Sequence, residues 1–188
     1  MRIGIYGGSF NPPHRGHENI TKLIIKELNL DELLIIPIGT PCHGKTNLID
    51  SNERYKLCEL SFKDIDKVKI SRIEIDSNDT SYTYDTLKKI IKSYGKEHEY
   101  FEIIGEDSAA YFDKWKDYKK ILKLAKVVVL KRRGYTSVIN SDNIIEIEND
   151  YYDISSSKIR HSIRKGKDCK EFLKKEVLDY IQDKELYK

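Results

Sequence analysis

The sequence predicts an α/β fold, a parallel sheet with helices on both faces and a small helical tail at its C-terminal end. Two observations carry that expectation. Short runs rich in Ile, Val and aromatic residues alternate along the chain with longer segments whose apolar residues recur every three or four positions. After about residue 155 the alternation stops, and only helical patterns follow.

Taken in order, Ile3–Tyr6 is the first strand, and Gly16–Leu28 the first helix, with Ile20, Leu23, Ile24 and Leu28 on one face. Leu33–Ile38 follows as a strand and Ser51–Phe62 as a helix. Val68–Ile75 reads as a strand, Thr83–Tyr94 as a helix, and Tyr100–Ile104 and Lys126–Lys131 as two more strands. Ile144–Ile147 adds a further one. Ser155-Ser156-Ser157 marks a helix start, because serine hydroxyls satisfy the first unpaired amides. That helix, Ser156–Arg164, stops at Lys165-Gly166. A last helix runs from about Lys170 to Asp183, with Phe172, Leu173, Val177, Tyr180 and Ile181 toward one side. The chain has no internal repeat, low-complexity stretch or long linker. Its 188 residues suit one core, so 1–188 is expected to be a single domain whose tail is about 155–188.

Composition removes several function classes. Lys and Arg number 34 against 31 Asp and Glu, a net charge of +3, and no basic tract announces a nucleic acid. The slight positive balance suits an anionic small substrate, but on charge alone an ordinary solvated surface is the better reading. Cys42, Cys58 and Cys169 are odd in number and far apart, so neither a disulfide framework nor a zinc site is indicated. Cys42 beside His43 makes a poor thiol nucleophile, since adjacent residues seldom present both side chains to one atom. The opening Met1-Arg2-Ile3-Gly4 lacks a signal peptide's long apolar core, and the apolar runs are too short to span a bilayer. A soluble, cytoplasmic protein without a membrane partner is expected.

The most informative stretch is Gly7-Gly8-Ser9-Phe10-Asn11-Pro12-Pro13-His14-Arg15-Gly16-His17. It joins the first strand to the first helix, where open parallel sheets collect their ligands. Gly7 and Gly8 let backbone amides approach phosphate oxygens. Pro12 and Pro13 restrict the loop ahead of His14. His14 and His17 sit at the mouth of a helix whose positive end attracts anions. Gly16 between them leaves room for adenine or ribose. Neither the G-x-G-x-x-G fingerprint nor a Gly-Lys-Ser/Thr helix opening is present. A metal pair or two surface histidines are the competing readings, but a helical metal pair usually has spacing four and further ligands.

This stretch resembles the H-x-G-H motif of the nucleotidyltransferases, and its fuller form is similar to that of the bacterial nicotinate mononucleotide adenylyltransferases. Ile154-Ser155-Ser156-Ser157-Lys158-Ile159-Arg160 resembles the I-S-S-T-x-I-R of the same family. Ser81-Tyr82-Thr83-Tyr84-Asp85-Thr86-Leu87 resembles its S-Y-T-x-D-T-L, Gly105-Glu106-Asp107-Ser108 its G-x-D-x, and Trp115 follows at the family's spacing. The resemblance spans essentially the whole chain. It implies a Rossmann-like sheet and an adenylyltransferase that joins ATP to nicotinate mononucleotide by direct displacement at the α-phosphate, giving nicotinate adenine dinucleotide and pyrophosphate in NAD biosynthesis.

By the same resemblance His17, His14 and Arg160 are the catalytic set. His17 meets the α-phosphate, His14 neighbouring oxygens, and Arg160 the β- and γ-phosphates. Gly7, Gly8, Ser9, Phe10, Gly16, Ser155, Ser156 and Arg132 would line the ATP site. His43, Lys45, Thr83, Asp107 and Trp115 would line the pyridine nucleotide site, with Trp115 stacked on the ring. Mg2+ would arrive on the ATP phosphates without its own protein ligands. A homo-oligomer is left open.

The chain departs from the family in places. Gly44 separates His43 from Lys45, Cys42 replaces a proline, Asn11 stands where Asp is frequent, Ser157 replaces threonine and Lys116 follows Trp115. The rival readings are a pantetheine-phosphate adenylyltransferase, an enzyme preferring nicotinamide mononucleotide, and a non-catalytic nucleotide sensor. The sensor should have lost His14, His17 or Arg160, and this chain keeps all three.

Overall fold

A computed structural model describes residues 1–41, 47–131, 141–149 and 154–188. In chain order the elements are β1 (Arg2–Gly8), α1 (Arg15–Glu27), β2 (Glu32–Pro37), β3 (Thr40–Pro41), α2 (Ser51–Phe62), β4 (Val68–Ile70), β5 (Thr80–Ser81) and α3 (Thr83–Tyr94). Then come β6 (Glu99–Gly105), α4 (Glu106–Ala109), a 3-10 turn at Phe112–Lys114, α5 (Tyr118–Leu124), β7 (Lys126–Lys131), β8 (Ile144–Glu148), α6 (Ser156–Arg164) and α7 (Lys175–Asp183).

Six strands form one sheet in the order β4-β2-β1-β6-β7-β8, and every pairing is parallel. The central strands are buried on both faces, which is why they read as unbroken apolar runs rather than alternating ones. Ile3, Ile5, Leu34, Ile36, Val127 and Val129 point to the face covered by α3 and α5, where Leu87, Ile90 and Ile121 meet them. Leu33, Ile35, Phe101, Ile103 and Val128 point the other way, against Ile24 of α1, Leu28 just after it, and Cys58 and Phe62 of α2. A third cluster joins Leu57 of α2 to Ile159 of α6 and Val177, Leu178 and Ile181 of α7, so the C-terminal helices pack on α2. The chain leaves β1 toward β2 and β4, then returns to β6 on the other side. The crevice between the carboxyl ends of β1 and β6 is therefore the switch point at which such sheets bind ligands.

Several boundaries differ from the sequence reading. The strand expected over Val68–Ile75 ends at Ile70. Ser71 still donates to the Ile35 carbonyl at 2.9 Å, but the chain then folds into a turn, with Asp76 N–H on the Arg72 carbonyl at 2.9 Å. The helix expected from Lys170 begins at Lys175, because the Phe172 carbonyl is taken at 2.9 Å by Arg15 N–H at the head of α1. The elements α4, α5 and the short parallel pair β3–β5 have no counterpart in the sequence reading. Each is too short to leave a clear period. Among the described residues no helix is long and apolar enough to cross a membrane.

Candidate active site

The loop after β1 is shaped by its own side chains. Phe10 is buried, with a left-handed φ of 44°, and its ring sits edge-on to Tyr6 (5.5 Å), Phe62 (5.9 Å) and His17 (5.1 Å) between centroids. It anchors the loop in the core and leaves its backbone for the site. A Cβ on Gly8 would touch the Phe10 ring at 3.0 Å, whereas one on Gly7 would meet nothing within 4 Å. Only Gly8 is thus a packing requirement.

His14 caps α1 with an extended backbone, and its N–H donates to His17 Nδ1 at 3.2 Å. The two rings lie 3.8 Å apart, tilted by 37°. Because Nδ1 of His17 accepts, its ring proton sits on Nε2, a donor suited to a phosphate oxygen. Gly16 is buried in the first turn of α1, where the helix's unpaired amides gather.

The second motif comes to this loop from far along the chain. Ser155 caps α6 by accepting from Lys158 N–H at 3.2 Å. Ser156 Oγ donates to the Pro12 carbonyl at 2.8 Å, and Arg160 Nη1 donates to the Asn11 carbonyl at 2.8 Å. Arg160 Nη2 reaches Ser157 Oγ at 3.2 Å, while its buried Nε has no hydrogen-bond partner among the described residues. A guanidinium and a helix N-terminus are therefore fixed beside the His14–His17 pair's loop, a concentration of anion donors.

The other flank is assembled at the carboxyl ends of β5 and β6. Thr83 opens α3, half buried, and Asp107 lies exposed just after β6 with its carboxylate folded over Gly105. Trp115 is half buried, 5.3 Å from the Phe112 ring, so it is packed on the core and still partly presented to solvent. The two segments are tied together by Lys116, whose Nζ donates to Asp85 at 2.8 Å and lies 4.4 Å over the Tyr82 ring. A groove of about 580 Å³ opens beside Lys116, lined by Ser81, Tyr82 and Asp85 among others, and Thr83, Asp107 and Trp115 are not in its lining. His43, Lys45 and Arg132 lie outside the described residues.

Sequence reasoning passed over three residues that hold this site. Arg54 is buried, and its Nε, Nη1 and Nη2 donate to the carbonyls of Ile49 (3.2 Å), Ser9 (3.1 Å) and Ile38 (2.6 Å). Its signal was a charge on the stripe Arg54, Leu57, Cys58, Ser61 that α2 buries. Asn47 and Tyr187, which bond the Asn11 side chain, carried no local signal.

A cytidylyltransferase-like family model matches residues 5–162. The chain is 45% identical to a protein of Fusobacterium nucleatum, covering 97% of each, and 37% identical to one of Streptococcus mutans, covering 99% of this chain and 88% of that one. Both relatives carry the name "Probable nicotinate-nucleotide adenylyltransferase". The chain belongs to the cytidylyltransferase-like family and, within it, to the nicotinate-nucleotide adenylyltransferases. Among solved structures, the nicotinic acid mononucleotide adenylyltransferase of Plasmodium falciparum, complexed with NaAD, superposes with a TM-score of 0.78 over 99% of this chain and 97% of that one. At 22% identity it bears on the Rossmann-like fold alone.

Proposed function

We propose that this enzyme transfers the adenylyl group of ATP to nicotinate mononucleotide, releasing pyrophosphate. The observation that carries the reading is the pair of hydrogen bonds by which Ser156 and Arg160 close onto Pro12 and Asn11. They unite two phosphate-binding motifs that the sequence holds nearly 150 residues apart. The names of the relatives support the choice of acceptor.

In this reading the ATP phosphates lie across the amides of Gly7 to Phe10 and the head of α1, with Gly16, Ser155 and Ser156 beside them. Arg160 meets the β- and γ-phosphates. His17 donates from Nε2 to the α-phosphate as charge builds there, and His14 stands on neighbouring oxygens. The acceptor's 5′-phosphate is already an anion, so it attacks the α-phosphorus in line without a base or a covalent enzyme intermediate. Catalysis is positioning plus charge stabilisation. Thr83, Asp107 and Trp115 receive the pyridine end, with the half-buried Trp115 ring offering a flat face to it. His43 and Lys45 keep their assignment to the pyridine nucleotide, and Arg132 its assignment to ATP. Among the described residues no three His, Cys, Asp or Glu side chains converge as metal ligands. Mg2+ in this reading is carried by the ATP phosphates and water, with no residue assigned to it. One domain over residues 1–188, working in the cytoplasm, completes the proposal.

The test is pyrophosphate release with ATP and magnesium, comparing nicotinate mononucleotide, nicotinamide mononucleotide and phosphopantetheine. Preference for the first is expected. Replacement of His17 by Ala should lower kcat on the order of 100-fold or more with a modest change in KM, as expected for a donor used in the transition state. No release with any acceptor would overturn the reading. Equal rates with both pyridine nucleotides would make the enzyme dual in specificity.

A further inference from the structure

We infer that Tyr187 is a positioning residue for the ATP phosphate site, acting through Asn11 on Arg160. The inference rests on the proposed role of Arg160 and goes beyond it, to a part of the chain with no motif.

Asn11 is the hub of this arrangement. It is 2% exposed, and both ends of its amide are engaged: Nδ2 donates to the Asn47 carbonyl at 3.0 Å, while Oδ1 accepts from Tyr187 Oη at 2.9 Å and from Ile49 N–H at 3.4 Å. Its backbone carbonyl takes Arg160 Nη1 at 2.8 Å. The side chain thus fixes the orientation of a carbonyl that in turn aims a guanidinium. Burial pushes the Tyr187 phenol well above its ordinary range, so the hydroxyl stays protonated and is the donor.

Tyr187 is brought to Asn11 across 176 residues by the turn after α7. Glu185 N–H bonds the Gln182 carbonyl at 3.1 Å and Leu186 N–H the Ile181 carbonyl at 2.9 Å, which reverses the chain toward the loop. The reversal holds Glu185 (φ 53°) and Tyr187 (φ 67°) in the left-handed region. Phe10 (φ 44°) precedes Asn11 in the chain and Asn47 (φ 78°) accepts from it. Four of the seven described non-glycine residues at positive φ are therefore at this hub or in the turn that reaches it. Disfavoured backbone persists only where surrounding contacts impose it, and such residues gather at functional sites. A tyrosine that only filled the core would need neither the reversed backbone nor a partner inside the phosphate loop.

The experiment is calorimetric titration of ATP into the parent protein, Tyr187→Phe, Arg160→Ala and the double variant, each with its melting midpoint. Tyr187→Phe should weaken ATP about five-fold, the equivalent of one hydrogen bond, while nicotinate mononucleotide binds unchanged. The same change in the Arg160→Ala background should cost nothing further. ATP bound as tightly by Tyr187→Phe as by the parent overturns the inference, as does an equal loss in the Arg160→Ala background. Arg160→Ala binding ATP like the parent would instead remove the role of Arg160, and this inference with it. A measurement on the parent alone covers the case of a variant that does not fold. By reciprocity, saturating ATP should slow amide exchange at Glu185 and Leu186, and unchanged exchange overturns the inference.

Discussion

Arg54 takes a positive charge into the interior and satisfies it with backbone carbonyls alone. Those of Ser9, Ile38 and Ile49 come from three separate segments, so one guanidinium ties the loop after β1, the end of β2 and the approach to α2. Burial lowers its pKa from the ordinary arginine value, but a guanidinium remains a cation at any pH the fold survives. Arg54→Leu would leave three half-buried carbonyls without this donor. At about 1 kcal/mol for each, the expected loss is about 3 kcal/mol, read from urea unfolding. Arg54→Lys should recover only part of it, because one ammonium lacks the planar fork that reaches three directions. A loss below about 0.5 kcal/mol in the leucine variant would mean that the carbonyls find other donors.

At the scale of elements, the flank that carries Thr83 depends on how β3 meets β5. Gly39 sits between β2 and β3, and a Cβ there would fall inside contact distance of the Glu74 carbonyl oxygen and 2.7 Å from its carbonyl carbon. Both are backbone atoms, which cannot step aside cheaply. The Glu74 side chain adds a second tie, accepting from Thr86 Oγ1 at 2.7 Å and from Gly39 N–H at 3.4 Å. The turn after β2, the turn before β5 and the first turn of α3 thus form one unit. Gly39→Ala should push that unit apart and cost about 1–3 kcal/mol of stability. Since β5 leads into Ser81–Thr83, KM for the mononucleotide should rise more than KM for ATP. Thermal unfolding and the two KM values check this, and a shift confined to ATP would contradict it.

For the whole molecule, a carboxyl buried inside the sheet sets a dependence of stability on pH. Glu102 is in the middle of β6, on the face of Tyr100 and Ile104, and its Oε2 has no hydrogen-bond partner among the described residues. Burial first, and the charge of Glu74 second, hold its carboxyl well above the ordinary range. The native state therefore keeps a proton that the unfolded chain releases near pH ~4.3. Stability from this group is fully present below that pH and falls as pH rises toward the native value. Glu102→Gln keeps the shape of the protonated acid and does not titrate. It should melt higher than the parent at pH 7, with the difference closing toward pH 4. Identical pH profiles for the two proteins would show that Glu102 does not titrate with folding.

The amino-acid sequence alone determined which segments become central strands, because a strand buried on both faces must be apolar throughout, as in Leu33–Ile36 and Val127–Leu130. It also determined the loop between β1 and α1 and the serine cap of α6, whose residue types act within a few positions of themselves. Glu102 and Arg54 went unnoticed in the sequence, because a charge in an apolar segment does not reveal that it is buried or what it meets. The tertiary structure decided the rest: the order β4-β2-β1-β6-β7-β8, the place where α7 starts, and the meeting of Asn11 with Arg160 and Tyr187. Those depend on partners more than a hundred residues apart. Such contacts leave no period in the chain, because each is a single donor finding a single acceptor once the sheet has brought them together.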